Sequence, residues 1–273
     1  MTVKLLTALM IVMTSIASVL AGTAAPIDSA ADLANARVPS LCDHPAGRLR
    51  NGVLPGIPEG QGVVALRRDQ VAIGRLLPGG RGHAAAVIAC NRGGVAWPDN
   101  VVFYNRRGRI IGHVELFDVT RGGREHVRRI WIRNRRVHIE VANIAQEGDA
   151  ACCGTASAKL VYRWDRQSRS MELVQRRIFT ERNAMNGLIA AFNDDDRTRA
   201  SRFATDEVVE LLWNWRGYEL QVGHCVAPAV LVEGARQCDA GPTDGAPLAF
   251  FFGMRQTAWN RWIAADYAFF HLT

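Results

Sequence analysis

Six cysteines, an arginine-rich stretch around one tryptophan, and a set of aromatic residues near the C-terminus are the side chains of this 273-residue sequence best suited to do chemistry. The cysteines are Cys42, Cys90, Cys152, Cys153, Cys225 and Cys238. Ahead of them come Lys4, an apolar run from Leu5 to Leu20, and the small residues Ala21-Gly22-Thr23-Ala24-Ala25. That order predicts a signal peptide over residues 1–25 that is cleaved, and a secreted, extracytoplasmic mature chain whose thiols oxidise to disulfides. Thr23 stands where a lipoprotein would need its lipidated cysteine, so no lipid is expected at Thr23. Cys225 and Cys238 are 13 residues apart, with no other cysteine in that half of the chain, and are expected to bridge. Closing a loop of that size contributes about 3 kcal/mol in the chain-entropy picture. Cys42, Cys90, Cys152 and Cys153 allow three pairings. The favoured one sends the adjacent pair to Cys42 and Cys90, one each, because a bond between Cys152 and Cys153 strains the peptide between them. No metal site is expected, since four-thiolate zinc sites space their cysteines two to four residues apart.

The arginine-rich stretch contains Arg128, Arg129, Arg133, Arg135 and Arg136 around Trp131. Guanidinium groups beside an indole suit an anionic polymer or a lipid headgroup, gripped by charge and by cation–π contact. The formal net charge of +7 does not by itself argue for nucleic acid: 31 of the 33 basic residues are Arg, the mark of a coding bias, and an exported chain rarely meets nucleic acid. Trp213, Trp215, Tyr218, Trp259 and Trp262 are candidates for the walls of a small-ligand pocket. Asp194-Asp195-Asp196 reads as an inter-helix turn, because calcium ligands alternate along a loop and include a turn glycine. The seven histidines are scattered, and no nucleophile elbow, zinc-protease helix or phosphate-binding glycine loop occurs. No catalytic residue and no cofactor is therefore assigned.

These side chains need elements to place them. From Val63 to Phe179 short β-rich runs alternate with turn signals. Val101 to Tyr104 leads through Asn105-Arg106-Arg107-Gly108 to Ile110, with Gly108 suited to a left-handed turn position. If Asn134-Arg135 is a hairpin loop, Ile132 faces Val137 and Ile130 faces Ile139. Trp131 then faces His138 and Arg129 faces Glu140 on the other side. A third hairpin runs from Leu160 through Asp165-Arg166-Gln167-Ser168 to Val174. From Ala184 the period becomes helical, with Met185, Leu188, Ile189 and Phe192 on one face. A second helix follows, starting near Asp196 and burying Phe203, Val208, Leu211 and Leu212. Strand signals return at Tyr218 to Val222, Val230-Leu231-Val232, Ala249 to Phe252 and Trp262 to Phe270. Residues 101–182 carry 17 Lys+Arg against 9 Asp+Glu and residues 183–273 carry 7 against 11, which puts a boundary near Arg182. The expected organisation is a signal peptide (1–25), a flexible mature N-terminus (26–41), a disulfide-stapled β-domain (42–181) and an α+β domain (182–273). The first domain is an all-β antiparallel meander or sandwich, and the second places helices before a curved antiparallel sheet.

Cys42-Asp43-His44-Pro45-Ala46-Gly47, Ala89-Cys90-Asn91-Arg92-Gly93-Gly94-Val95-Ala96-Trp97-Pro98, and Gly148 to Cys153 followed by Tyr162-Arg163-Trp164-Asp165 resemble the LppP/LprE-like exported proteins of high-GC Gram-positive bacteria. The resemblance covers about Cys42 to Val174, and the double cysteine ahead of the Tyr-Arg-Trp-Asp turn is its most specific element. The second half is similar in plan to NTF2-like domains. Neither resemblance implies a reaction. The functional expectation is a non-enzymatic cell-envelope binding or interaction module. The alternatives are a ligand or enzyme site in the second domain's cavity, or electrostatic attachment through the Arg-rich hairpin. The expected partners are an anionic envelope polymer, lipid headgroups or another envelope protein.

Overall fold

The computed structural model describes residues 26–94, 97–120, 123–149, 153–226, 229, 232–258 and 260–271; the leader, Cys152 and Trp259 lie outside them. Three four-stranded antiparallel meanders make up most of the chain. A 3₁₀ turn (Ala30–Leu33) and the paired short strands β1 (Arg37–Val38) and β2 (Gly47–Arg48) precede the first, which is β3 (Val63–Gly74), β4 (His83–Asn91), β5 (Asn100–Tyr104) and β6 (Ile110–Glu115). β5 is buried at all five positions. An apolar run without alternation belongs to a strand covered on both faces, and both covers are present. Ala84, Ala86, Ile88, Val102 and Tyr104 pack under Ile27, Leu33, Val38, Leu41 and Leu49. The stretch expected to be flexible before Cys42 is instead the lid of this face, because its apolar residues are what β4 and β5 need on that side. Between β5 and β6, Gly108 takes φ +68° and its N–H donates to Asn105 O at 2.9 Å, as the turn residues foretell.

After α1 (Leu116–Thr120) comes the second meander: β7 (His126–Arg133), β8 (Arg136–Ile144), β9 (Ala156–Asp165) and β10 (Ser170–Phe179). The register is the one read from the sequence, with Ile132 opposite Val137, Ile130 opposite Ile139, Trp131 opposite His138 and Arg129 opposite Glu140. Val127, Val137, Ile139, Val141, Leu160 and Tyr162 meet Ala85, Val87, Val101 and Phe103 of the first sheet, forming the core of a sandwich. Asp99 pins its edge: the carboxylate accepts from Arg67 Nη1 of β3 and from the Val127 amide of β7, both at 2.8 Å. Burial pushes this carboxyl above its usual range even so.

Thr180 separates β10 from α2 (Glu181–Asn193) and caps it, its hydroxyl accepting from the Asn183 amide. Met185, Leu188, Ile189 and Phe192 form the buried stripe. The expected second helix is two, α3 (Arg197–Ala200) and α4 (Asp206–Trp213). They part because the backbone of Phe203 and Thr205 pairs with Ala264 on the last strand, at 2.8 and 2.9 Å. The third meander is β11 (Leu220–Val226), β12 (Arg236–Pro242), β13 (Leu248–Ala258) and β14 (Arg261–His271). Of the strand expected at Val230-Leu231-Val232, the first two residues lie outside the described set and Val232 is in a bend.

Cys225 and Cys238 are direct cross-strand partners and are bridged, with Cα atoms 4.0 Å apart. Cys42 bridges Cys90, which corrects the expectation that each would reach the double cysteine. The chain before β3 lies on the outer face of the first sheet beside the end of β4, whereas Cys153 sits in the β8–β9 loop of the second sheet. Cys153 is itself disulfide-bonded. Two such bridges fit a chain that folds in an oxidising environment.

A buried ion network joins the two halves. Arg236 on β12 is 2% exposed, with Nε 2.7 Å from Glu181 of α2 and Nη1 2.8 Å from Asp149 of the β8–β9 loop. Its Nη2 donates to Glu147 O, and Gln146 and Thr155 complete the bonding of the two carboxylates. Every charge is partnered, the condition under which such a cluster is tolerated in the interior.

Candidate functional site

The first sheet is covered on both faces, whereas the second is fully covered on one and on the other stays largely open, with Ser157 and Val161 of β9 buried toward α2. Because side chains alternate along a strand, the pairing of β7 to β10 sets its bare face out in three cross-strand rows. Arg133, Arg136, Arg163 and Glu172 make the first, Trp131, His138, Val161 and Gln175 the second, and Arg129, Glu140, Lys159 and Arg177 the third. Six cations thus share the rows with two carboxylates. In the middle, the half-buried Trp131 and His138 rings stack at 5.1 Å and 8°. Arg129 and Lys159 approach the same indole at 5.0 and 5.3 Å. Burial, and after it the charge of Lys159, lowers the His138 pKa and disfavours a further cation in the middle of the face. The first row sets arginines side by side on three neighbouring strands, an arrangement that costs stability when nothing negative lies between them.

Toward α2 the face deepens into a groove of about 660 Å³. Lys159 and Arg177 border it from the sheet, and Arg202 and Arg261 from the helical half. Val161, Phe203 and Trp262 supply apolar wall, and none of the described lining residues is Asp or Glu. Gly187 shapes that wall, since a side chain there would run into the Phe203 ring.

Of the residues expected to bind anions, Arg129, Trp131, Arg133 and Arg136 lie on this face. Arg128 occupies the bulge of β7 between Val127 and Arg129. Arg135, at φ +57°, is in the hairpin turn and borders a separate cleft with Arg75, Arg81 and Asp28. Lys159, Arg163, Arg177, Arg202 and Arg261 are additions from distant stretches. The signal for three of them was the alternation of β9 and β10; nothing local points to Arg202 or Arg261.

The expected aromatic pocket does not gather as one cluster. Trp213 is buried, edge-on to Phe192 at 5.5 Å, with its indole N–H donated to Asp195. Trp215 is half-buried and packs on Phe250, Phe269 and Tyr218 at the margin of the helix–sheet core. Trp262 is buried in the helix–sheet core and also borders the groove, and Trp259 lies outside the described residues. Asp194 pairs with Arg199 and Asp196 caps α3, so the acidic triplet is taken up by its own turn. Among the described residues no group of three His, Cys, Asp or Glu is arranged to hold a metal ion, and no helix there is long and apolar enough to cross a membrane.

No family model, no curated protein and no solved structure matches the chain. The functional reading therefore stands on the geometry of this face.

Proposed function

We propose that this is an exported, non-enzymatic binding module of the cell envelope that holds an extended anionic polymer on the bare face of the second sheet. The observation behind the reading is the three-row array of six cations and two carboxylates around a stacked Trp131–His138 pair. A row of arginines opposite one another weakens the sheet unless an anion lies between them, so the array serves a ligand better than it serves the fold. Export through the 1–25 leader, kinship with the LppP/LprE-like proteins and an NTF2-like plan for residues 182–273 belong to the same proposal. The disulfides support the compartment and the helix-then-sheet order supports the plan.

The test is binding of a linear polyanion, inorganic polyphosphate, by the full mature chain. Meeting five or six cations releases counterions, and affinity then falls roughly a hundredfold between about 50 and 200 mM salt. The triple change Arg133→Ser, Arg136→Ser and Arg163→Ser removes the first row and most of the binding. Affinity indifferent to salt, or to the triple change, would sink the proposal.

A further inference from the structure

The groove at the α2 end of the face differs in kind from the rows that lead to it. The rows are open and lie on one sheet, whereas the groove has two walls from different parts of the chain and a volume in the range of small-molecule sites. Arg177 and Lys159 reach it from the sheet, and Arg202 and Arg261 from the opposite wall. Four cations converge with no carboxylate among the described lining residues to neutralise them.

A second observation points to a ligand. Trp262 is 3% exposed and lines the groove, yet its indole N–H has no acceptor. A buried donor without an acceptor is destabilising, and such groups are nearly always satisfied. An oxyanion entering between the arginines would bring acceptors to this donor, and phosphate offers oxygens that planar guanidinium forks bind in pairs. The apolar wall of Val161, Phe203 and the Trp262 ring gives the other end of the ligand its place.

We propose that this groove seats the phosphate of a phosphomonoester carried on an apolar group, with Arg177, Arg202, Arg261 and Lys159 around the oxygens and the Trp262 N–H donating to one of them. The inference rests on reading the bare face as an anion-binding surface, but it names a discrete site with its own residues. The same chemistry is found in a soluble aryl phosphate and in a phosphatidic-acid headgroup, and the experiment separates them.

The mature protein is titrated with phenyl phosphate, inorganic phosphate, and vesicles of phosphatidylcholine with and without phosphatidic acid. The ¹⁵N–¹H indole signal of Trp262, identified by its loss in Trp262→Phe or by sequential assignment, is followed throughout. Phenyl phosphate is expected to move that signal saturably and to bind about tenfold or more tightly than inorganic phosphate, a gap of about 1.4 kcal/mol. A movement larger with phosphatidic-acid vesicles assigns the site to the lipid, and one larger with phenyl phosphate assigns it to a soluble ester. Arg202 and Arg261 are exposed, so Arg202→Ser with Arg261→Ser leaves the fold intact while lowering affinity tenfold or more; Arg163→Ser, at the far end of the face, leaves it unchanged. A Trp262 signal unmoved by both phosphate carriers overturns the inference, as does equal loss of binding in Arg163→Ser. Polyphosphate binding with a silent Trp262 removes the groove alone. A responsive Trp262 without polyphosphate binding removes the polymer reading alone.

Discussion

The first and second sheets have the same order, the same number of strands and a shared core, yet only one of them has a surface to offer. β3 to β6 lie between the second sheet and the N-terminal segment, so that β4 and β5 bury residues on both faces. β7 to β10 bury the whole face that carries Val137, Ile139 and Leu160, and on the other face only part of β9, at Ser157 and Val161. The difference comes from the segment ahead of β3, from Ile27 to Leu54, that covers one sheet and leaves the other largely open. A half-covered sheet is free to carry charges in rows, whereas a fully covered one is committed to packing.

Substitutions with the largest expected effects test what holds this arrangement. Phe103→Ala in the doubly covered sheet is expected to cost about 3–5 kcal/mol in urea unfolding, the range for emptying a core aromatic site. Arg236→Ala is expected to cost about 3–5 kcal/mol as well, because it leaves Glu181 and Asp149 buried without a counter-charge. The two differ in rescue. Adding Asp149→Asn and Glu181→Gln to an Arg236→Met chain restores much of the second loss, and no surface change restores the first.

A smaller effect has the opposite sign. Arg136→Glu on the bare face places a carboxylate between Arg133 and Arg163, so it is expected to raise stability by about 0.2–1 kcal/mol while lowering polyphosphate affinity. A variant that loses both stability and binding would mean that the row is structural.

The smallest effect is one of pH. His83, buried at the start of β4, has its pKa lowered by burial and then by Arg106, and His138 on the bare face by burial and then by Lys159. A group with a lowered folded pKa takes up its proton more readily when unfolded, so its contribution is complete above the ordinary histidine value of about 6.5 and is lost as pH falls below it. The urea midpoint is therefore expected to drop between about pH 7 and 5. His83→Gln should flatten that slope more than His138→Gln, since His83 is almost fully buried and His138 only partly.

The sequence made legible whatever repeats at short range. Alternation gave the β7–β8 register and its two faces, Gly108 the turn, and Met185 to Phe192 the α2 stripe. Four of the six residues expected to bind anions lie on the observed face for that reason. Arg128 and Arg135 do not, because a bulge and a turn interrupt the alternation at those positions. Long-range facts stayed hidden. Nothing near Arg236 announces two acidic partners, Glu181 and Asp149, that lie 55 and 87 residues earlier in the chain. Cys42 offered three partners, and only the packing of its segment over β4 selects Cys90. Of the aromatic residues expected as pocket walls, Trp262 touches the groove while Trp213 is buried in the helix–sheet core, a division that hydrophobicity alone does not reveal.

Thr180, the single residue between β10 and α2, has a mechanical consequence. A one-residue joint acts as a pivot that passes tension but resists little twist. The Arg236 cluster adds a second fastening off that pivot, to Asp149 and Glu147 on the sandwich side. With two fastenings the halves turn as one lever, the gap between their walls keeps its width, and a guest arriving there meets a jaw already set.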